Sequence, residues 1–337
     1  MKTNLLTITL LLISISFFAQ NIGNKTILLD SLHSVTTDKN YSYIRIIEDY
    51  KSDKDLYTVL EYYKSGKLSM TGFTNDKDIL KFEGLRIDYY ENGNKKQESN
   101  YTDNKLNGSC INYHKNGNKK QESNYIDNKL NGWQIEWYEN NQKKSEKEIT
   151  WDDKNKKSIK KIIQFWDKDG QQTIIDGNGQ YEEISEKHSD TGNIKNGLKD
   201  GVWQGKYNTK YTYIEKYQKG ELISGISTDK DKNEYHYTVL ESKPEPIKGI
   251  QNFYQFIGKN FNIPKEYKSL NGKIYIRFIV DKEGRIVEPK IIKSLNETLD
   301  KEAIRVISSY EKWIPAKQRG QYVRVLYSLP ITLKASK

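Results

Sequence analysis

Asn92-Gly93-Asn94-Lys95-Lys96-Gln97-Glu98-Ser99-Asn100-Tyr101 recurs without a change as Asn116-Gly117-Asn118-Lys119-Lys120-Gln121-Glu122-Ser123-Asn124-Tyr125. Asn104-Lys105-Leu106-Asn107-Gly108 recurs as Asn128-Lys129-Leu130-Asn131-Gly132, again 24 residues on. A third copy starts at Trp137-Tyr138-Glu139-Asn140 and then decays. Weaker echoes stand at Tyr63-Lys64-Ser65-Gly66-Lys67 and at Asn196-Gly197-Leu198-Lys199-Asp200-Gly201-Val202-Trp203. A fixed period of this length marks a stack of supersecondary units. Asn-Gly supplies the positive φ angles of a two-residue type I′ turn, and Asp103-Asn104-Lys105 supplies a second polar turn, so each repeat reads as a β-hairpin. Between the turns Leu85, Ile87 and Tyr89 alternate, then Ser109, Ile111 and Tyr113, then Trp133, Ile135 and Trp137. Period 2 puts each set on one face. A lone hairpin is marginal in water, so neighbouring units are expected to bury those faces together.

These units resemble a divergent MORN repeat over roughly Tyr57 to Tyr237, sharply in two copies. The resemblance implies an elongated sheet, without catalytic residues, that contacts proteins or lipids. Exposed Tyr and Trp would also suit a glycan. The strict alternation instead favours the aromatics as core. His114 falls where the preceding copy has Tyr90, an ordinary repeat position.

The chain has 337 residues, room for two domains, with 25 tyrosines that offset a low apolar content. Its net charge of +10 is concentrated late: from Gln251 to Lys337 there are 17 Lys and Arg against 8 Asp and Glu, a balance of +9. Such a field suits nucleic acid, anionic lipid or an acidic protein. At the start, Lys2 precedes an apolar run from Leu5 to Phe18 and then Ala19, the pattern of a secretory signal peptide. Export disfavours nucleic acid as a partner. Cys110 is the only cysteine, which excludes an intramolecular disulfide and any Cys-based metal cluster.

Ser242-Lys243-Pro244-Glu245-Pro246 reads as an extended linker. Beyond Gly249, Ile250, Phe253, Tyr254, Phe256, Ile257 and Phe261 form a helical stripe closed before Pro264. Ile274, Ile276, Phe278 and Val280 alternate as a strand. Asp281-Lys282-Glu283-Gly284 turns into a second strand over Arg285–Ile292. Leu299, Ala303, Val306, Ile307 and Tyr310 have helical spacing, with Thr298 or Asp300 as N-cap. Trp313-Ile314-Pro315 breaks that helix. Val323, Val325, Tyr327, Leu329, Ile331 and Leu333 then predict one long final strand.

In its Phe253-…-Ile257-x-x-Asn260, Asp281-x-x-Gly284, Asp300-x-x-Ala303, Trp313-x-Pro315 and Leu329-Pro330-Ile331 this region is similar to the TonB C-terminal domain family. The expected fold class is therefore β-rich plus α+β: an antiparallel β-hairpin repeat array, MORN-like, followed by a small TonB C-terminal-type α+β domain. The expected divisions are a signal peptide over 1–19, a lead segment over 20–56, repeats over 57–240, a linker over 241–248 and the terminal domain over 249–337. The family implies capture of an extended peptide, the TonB box of an outer-membrane transporter, alongside the last strand. Pro330 lacks a backbone N–H, which places its strand at an edge or ends its pairing there. An open edge is a template for an incoming strand. The expected partner-binding residues are Tyr322, Val323, Arg324, Val325, Leu326 and Tyr327, with Arg324 adding charge complementarity. The alternative is that the array or a second copy covers this edge.

The expected partners are an outer-membrane transporter or another envelope protein, a second copy as a homodimer, and a membrane or glycan at the repeats. The expected location is the periplasm or the outer membrane. A working energy transducer needs a persistent inner-membrane helix and a long Pro-rich spacer, whereas no histidine precedes His33 and the chain has six prolines. His33, His114, His188 and His236 are isolated, and no P-loop, HExxH, CxxC or Ser-centred elbow is present. No enzyme, cofactor or metal is expected.

Overall fold

The computed structural model describes residues 23–153, 156–207 and 211–333. The expected export segment 1–19 lies outside the described residues. The chain forms two compact units, residues 1–181 with 194–198, and residues 182–193 with 199–337.

The first unit is an antiparallel meander. Its strands are β1 (Lys25–Leu29), β2 (Tyr43–Ile47), β3 (Tyr57–Tyr63), β4 (Leu68–Thr74), β5 (Gly84–Tyr89), β6 (Lys95–Thr102), β7 (Lys105–Tyr113), β8 (Lys119–Ile126), β9 (Lys129–Trp137), β10 (Lys143–Asp152), β11 (Lys157–Trp166) and β12 (Gln172–Ile175), followed by the start of β13 (Asn178–Ile184). Each pairs with the next in sequence. The segment 20–56, expected as a lead only, thus contributes two strands to the ladder.

Turn chemistry departs from expectation in an instructive way. The positive-φ pairs fall at Asp103-Asn104 (50° and 61°) and Asp127-Asn128 (48° and 66°). Those are the two-residue turns of type I′ character. At Asn92-Gly93 only the glycine has positive φ, 92°, and Tyr90 N–H donates to Asn94 O at 2.8 Å. This is a three-residue loop in which Gly93 alone takes the left-handed position, as Gly117 does in the next copy.

The burial of the repeats also corrects the expected core. Leu85 and Trp133 remain 43% and 52% exposed, and Ile87, Tyr89, Ile111, Tyr113, Ile135 and Trp137 are half-buried. The buried row lies on the opposite face, where Ser99, Cys110, Ser123 and Gln134 stand opposite one another across four strands. Short side chains are occluded by their taller neighbours. Gln121 Nε2 donates to Ser123 Oγ at 2.8 Å, and Gln134 Nε2 does so from the next strand at 3.3 Å.

Successive hairpins are stapled by one recurring hydrogen bond. Tyr63 Oη donates to Tyr89 O at 2.6 Å, Tyr90 Oη to Tyr113 O at 2.9 Å and Tyr138 Oη to Trp166 O at 2.9 Å. His114 Nε2 lies 3.1 Å from Trp137 O and fills the tyrosine's place in the second copy. A second ladder runs along the turns: Asn92 and Asn94 both donate to Lys115 O, and Asn116 and Asn118 both donate to Glu139 O, each at 2.8 Å.

In the second unit β15 (Leu198–Tyr207), β16 (Tyr211–Gln218), β17 (Glu221–Thr228) and β18 (Glu234–Tyr237) form an antiparallel meander, with β14 (His188–Lys195) before them in the chain. Two short strands follow, β19 (Glu241–Ser242) and β20 (Glu245–Pro246), then α1 (Gly249–Asn260), β21 (Gly272–Val280), β22 (Ile286–Lys293) and α2 (Glu297–Ser308). The chain ends in β23 (Trp313–Ile314), β24 (Lys317–Gln318), β25 (Gln321–Tyr322) and β26 (Val325–Leu333). The segment expected as a free linker is extended but paired, β19 with β24 and β20 with β23. The N-cap of α2 is Asn296, which accepts from Thr298 N–H at 2.8 Å, two residues before Thr298 and four before Asp300, the expected caps.

The three longest strands that follow α1 form a sheet in the order β22–β21–β26. Ile274, Ile276, Phe278 and Val280 of β21 face Phe253 and Ile257 of α1 and Leu299, Ala303, Val306 and Ile307 of α2 in one apolar core. Trp313 seals it, edge-on to Phe253, Phe278 and Tyr327 at centroid distances of 5.1, 5.8 and 5.1 Å. Its backbone N–H donates to Gly284 O at 2.7 Å. No helix among the described residues is long and apolar enough to cross a membrane.

Candidate functional site

The expected final strand starts two residues late, at Val325, and Val323-Arg324 join it to a hairpin. Lys317-Gln318 and Gln321-Tyr322 pair around Arg319 and Gly320, both at positive φ, 46° and 79°. Val323 N–H donates to Ala316 O at 3.0 Å. The expected binding residues therefore divide. The backbone of Tyr322 pairs with Lys317, and its ring is covered by Lys317 Nζ at 4.8 Å. Arg324 is engaged by Glu288, so it is not a free charge. Only Val325, Leu326 and Tyr327 lie on the edge strand, in register with Val280, Ile279 and Phe278. That strand continues through Ser328, Pro330 and Thr332 to Leu333, beyond the expected binding residues. The Arg319-Gly320 pair was the available signal, since glycine in that position commonly closes a short turn.

Among the described residues no strand pairs with β26 on the side away from β21. Its nine residues offer about 30 Å of unpaired ribbon. Side chains along that ribbon alternate, with Leu329, Ile331 and Leu333 buried beneath and Leu326, Ser328, Pro330 and Thr332 outward. Two apolar clefts flank it. One, of about 580 Å³, lies between Val325–Tyr327 and Pro244, Pro246 and Ile250. The other, of about 290 Å³, lies between Leu329–Leu333 and Tyr254, Ile257 and Phe261. Together they give the ribbon a wall built from α1 and the proline segment.

The hairpin just before β26 is anchored in the meander of the same unit. Arg319 Nε donates to Glu215 Oε1 at 2.7 Å, and Glu215 is fully buried. The guanidinium lies 3.9 Å from the centre of the Tyr213 ring. Tyr217 and Tyr237 donate their hydroxyls to the two oxygens of Glu215 at 2.9 and 2.7 Å. Ser227 Oγ donates to Arg319 O at 2.7 Å and accepts from Gln321 Nε2 at 2.9 Å. Burial, followed by the Glu215 charge, pushes the Tyr217 phenol well above its ordinary range. Burial alone would lower the Arg319 guanidinium, but Glu215 holds it above its ordinary value. The start of the edge strand is thus fixed by a buried ion pair in which both carboxylate oxygens of Glu215 are hydrogen-bonded.

A second fixed point is the turn into β22. Asp281 Oδ1 accepts from Glu283 N–H at 3.0 Å and Arg285 N–H at 2.8 Å. Burial would raise this carboxyl, yet the Arg285 backbone and guanidinium bring it below the ordinary carboxylate range. A side chain at Gly284 would meet Trp313 O at 2.0 Å, so the turn and the Trp313 plug require each other.

Residues 266–334 match the family described as Gram-negative bacterial TonB protein C-terminal. The match runs from just before β21 to the end of β26, leaving α1 and the whole meander outside it. No curated protein matches the chain.

Proposed function

We propose that this chain is a non-catalytic binding protein of the Gram-negative envelope that takes up an extended segment of a protein partner as a fourth strand beside β26. The observation that carries this reading is the unpaired edge of β26, lying in a trough walled by α1 and by Pro244 and Pro246. Main-chain hydrogen bonds supply affinity in such a complex, and the apolar clefts select alternate side chains. The family match over residues 266–334 supports a TonB-related, protein-binding role. The partner that fits is a TonB-box-like segment of an outer-membrane transporter. We read residues 1–19 as the export signal and the hairpins as a MORN-like scaffold.

A proline inside a ladder is tolerated where its missing N–H would face outward. Pro330 pairs in register with Tyr275, so its row, Leu326, Ser328 and Thr332, directs its amides to the free edge. Ser328→Pro then removes one outward donor and spares the β21 ladder. With the full chain as bait for solubilised outer-membrane proteins, the wild type and Tyr113→Ala should capture the same barrel. Ser328→Pro should lose it while keeping its circular dichroism. Undiminished capture by Ser328→Pro rejects strand addition at this edge. A wild-type dimer in solution that Ser328→Pro converts to a monomer would instead assign the edge to a second copy.

A further inference from the structure

The sheet has a second open surface, independent of the β26 edge. Ile274, Ile276, Phe278 and Val280 point into the core, so Lys273, Tyr275, Arg277 and Ile279 of the same strand stand on the face that carries no helix. Their neighbours follow from register. Arg277 is opposite Lys290 on one side and Ser328 on the other, and Tyr275 is opposite Lys293 and Pro330. Ile279 is opposite Val287 and Leu326. The surface is open, with Tyr275 38% and Leu326 57% exposed.

Its charge is one-sided. Among the described residues Lys273, Arg277, Lys290 and Lys293 form no ion pair, and the only carboxylate on the three strands, Glu288, is taken by Arg324. Two cations placed directly opposite, as Arg277 and Lys290 are, destabilise a sheet by repulsion. A local rule broken without a compensating partner points to a function for the arrangement. The late basic excess in the sequence is therefore partly gathered on this helix-free face.

We propose that this helix-free face docks on an anionic lipid surface. Three observations select lipid over other polyanions. The face is three strands wide, matching a headgroup layer better than a single chain. Ile279, Leu326 and Val287 cluster at one end, and such aliphatic side chains are accommodated at the acyl boundary but have no counterpart in a phosphodiester or acidic peptide. Tyr275 sits among the lysines, with Lys293 Nζ at 5.9 Å from its ring centre, an aromatic body with a polar tip suited to the interface. Each exposed cation adds attraction to an anionic leaflet, and the edge of β26 stays free while the face is occupied.

The test is flotation of the full chain with vesicles of phosphatidylcholine alone or mixed with about one-third phosphatidylglycerol. The wild type should float with the mixed vesicles only, and should be released at about 1 M salt, where charges are screened beyond roughly 3 Å. Replacing three cations together, Arg277→Gln, Lys290→Gln and Lys293→Gln, should weaken partitioning on the order of 100-fold without altering circular dichroism. Arg277→Lys should retain wild-type partitioning. Absence of wild-type flotation, equal flotation with neutral vesicles, or full flotation of the triple variant overturns the proposal. Tighter retention of the wild type by immobilised oligoglutamate than by mixed vesicles also overturns it, in favour of an acidic protein partner.

Discussion

In the repeats the buried row is Ser99, Cys110, Ser123 and Gln134, whereas Phe253, Phe278, Leu299 and Trp313 fill the interior of the terminal domain. The first region is held by hydrogen bonds that recur with the period of the sequence: a phenol or imidazole reaching the next hairpin's carbonyl, and paired asparagines reaching the next turn. The second is held by apolar burial among residues far apart in the chain. One region spreads its stability over many equivalent small contacts. The other concentrates it in a few large side chains, so the two should respond differently to single substitutions.

The sharpest way to expose that difference is Trp313→Ala. Removal of an indole packed against Phe253, Phe278 and Tyr327 should cost about 3–5 kcal/mol and unfold the terminal domain ahead of the repeats. Denaturant titration followed by near-UV and far-UV circular dichroism should then show two transitions. Coincident transitions would show that the regions share one cooperative unit. Arg319→Met is the next largest test, because it leaves Glu215 charged and buried beneath two tyrosines. Loss of one partner of such a pair costs about 3–5 kcal/mol, and adding Glu215→Met should restore most of it. A double variant as unstable as the single one would place the anchor's worth elsewhere. The smallest effect is expected in the repeats. Tyr90→Phe removes one staple and should cost about 1 kcal/mol, and His114→Phe should match it if the two residues do the same work. A several-fold larger loss from either would mean that the repeats are not equivalent.

Particular elements show how far the sequence could be read. Both helices of the terminal domain and the strands β21 and β22 followed from periodicity, because apolar spacing reports which face is buried whenever a single core exists. The turn at Arg319-Gly320 lies just before an alternating run: Val323 and Val325 keep phase with Tyr327, so the pattern did not show that the strand begins only at Val325. The same blind spot affected the repeats. Alternation separated two faces but did not say which one was shielded, since shielding of serine and cysteine depends on the height of adjacent glutamines. The candidate edge was announced by Pro330, whereas half of the residues first assigned to it serve a hairpin and an ion pair.

From the chain alone came the 24-residue period, the hairpin as its unit, the basic bias after Gln251 and the order of elements in the terminal domain. All of these depend on neighbours along the backbone. Tertiary structure alone decided that Arg319 reaches Glu215 across more than a hundred residues, that no described strand borders β26 on the side away from β21, and that four cations share a helix-free face. Such facts depend on which distant segments meet when the core closes, and a local pattern carries no record of that meeting.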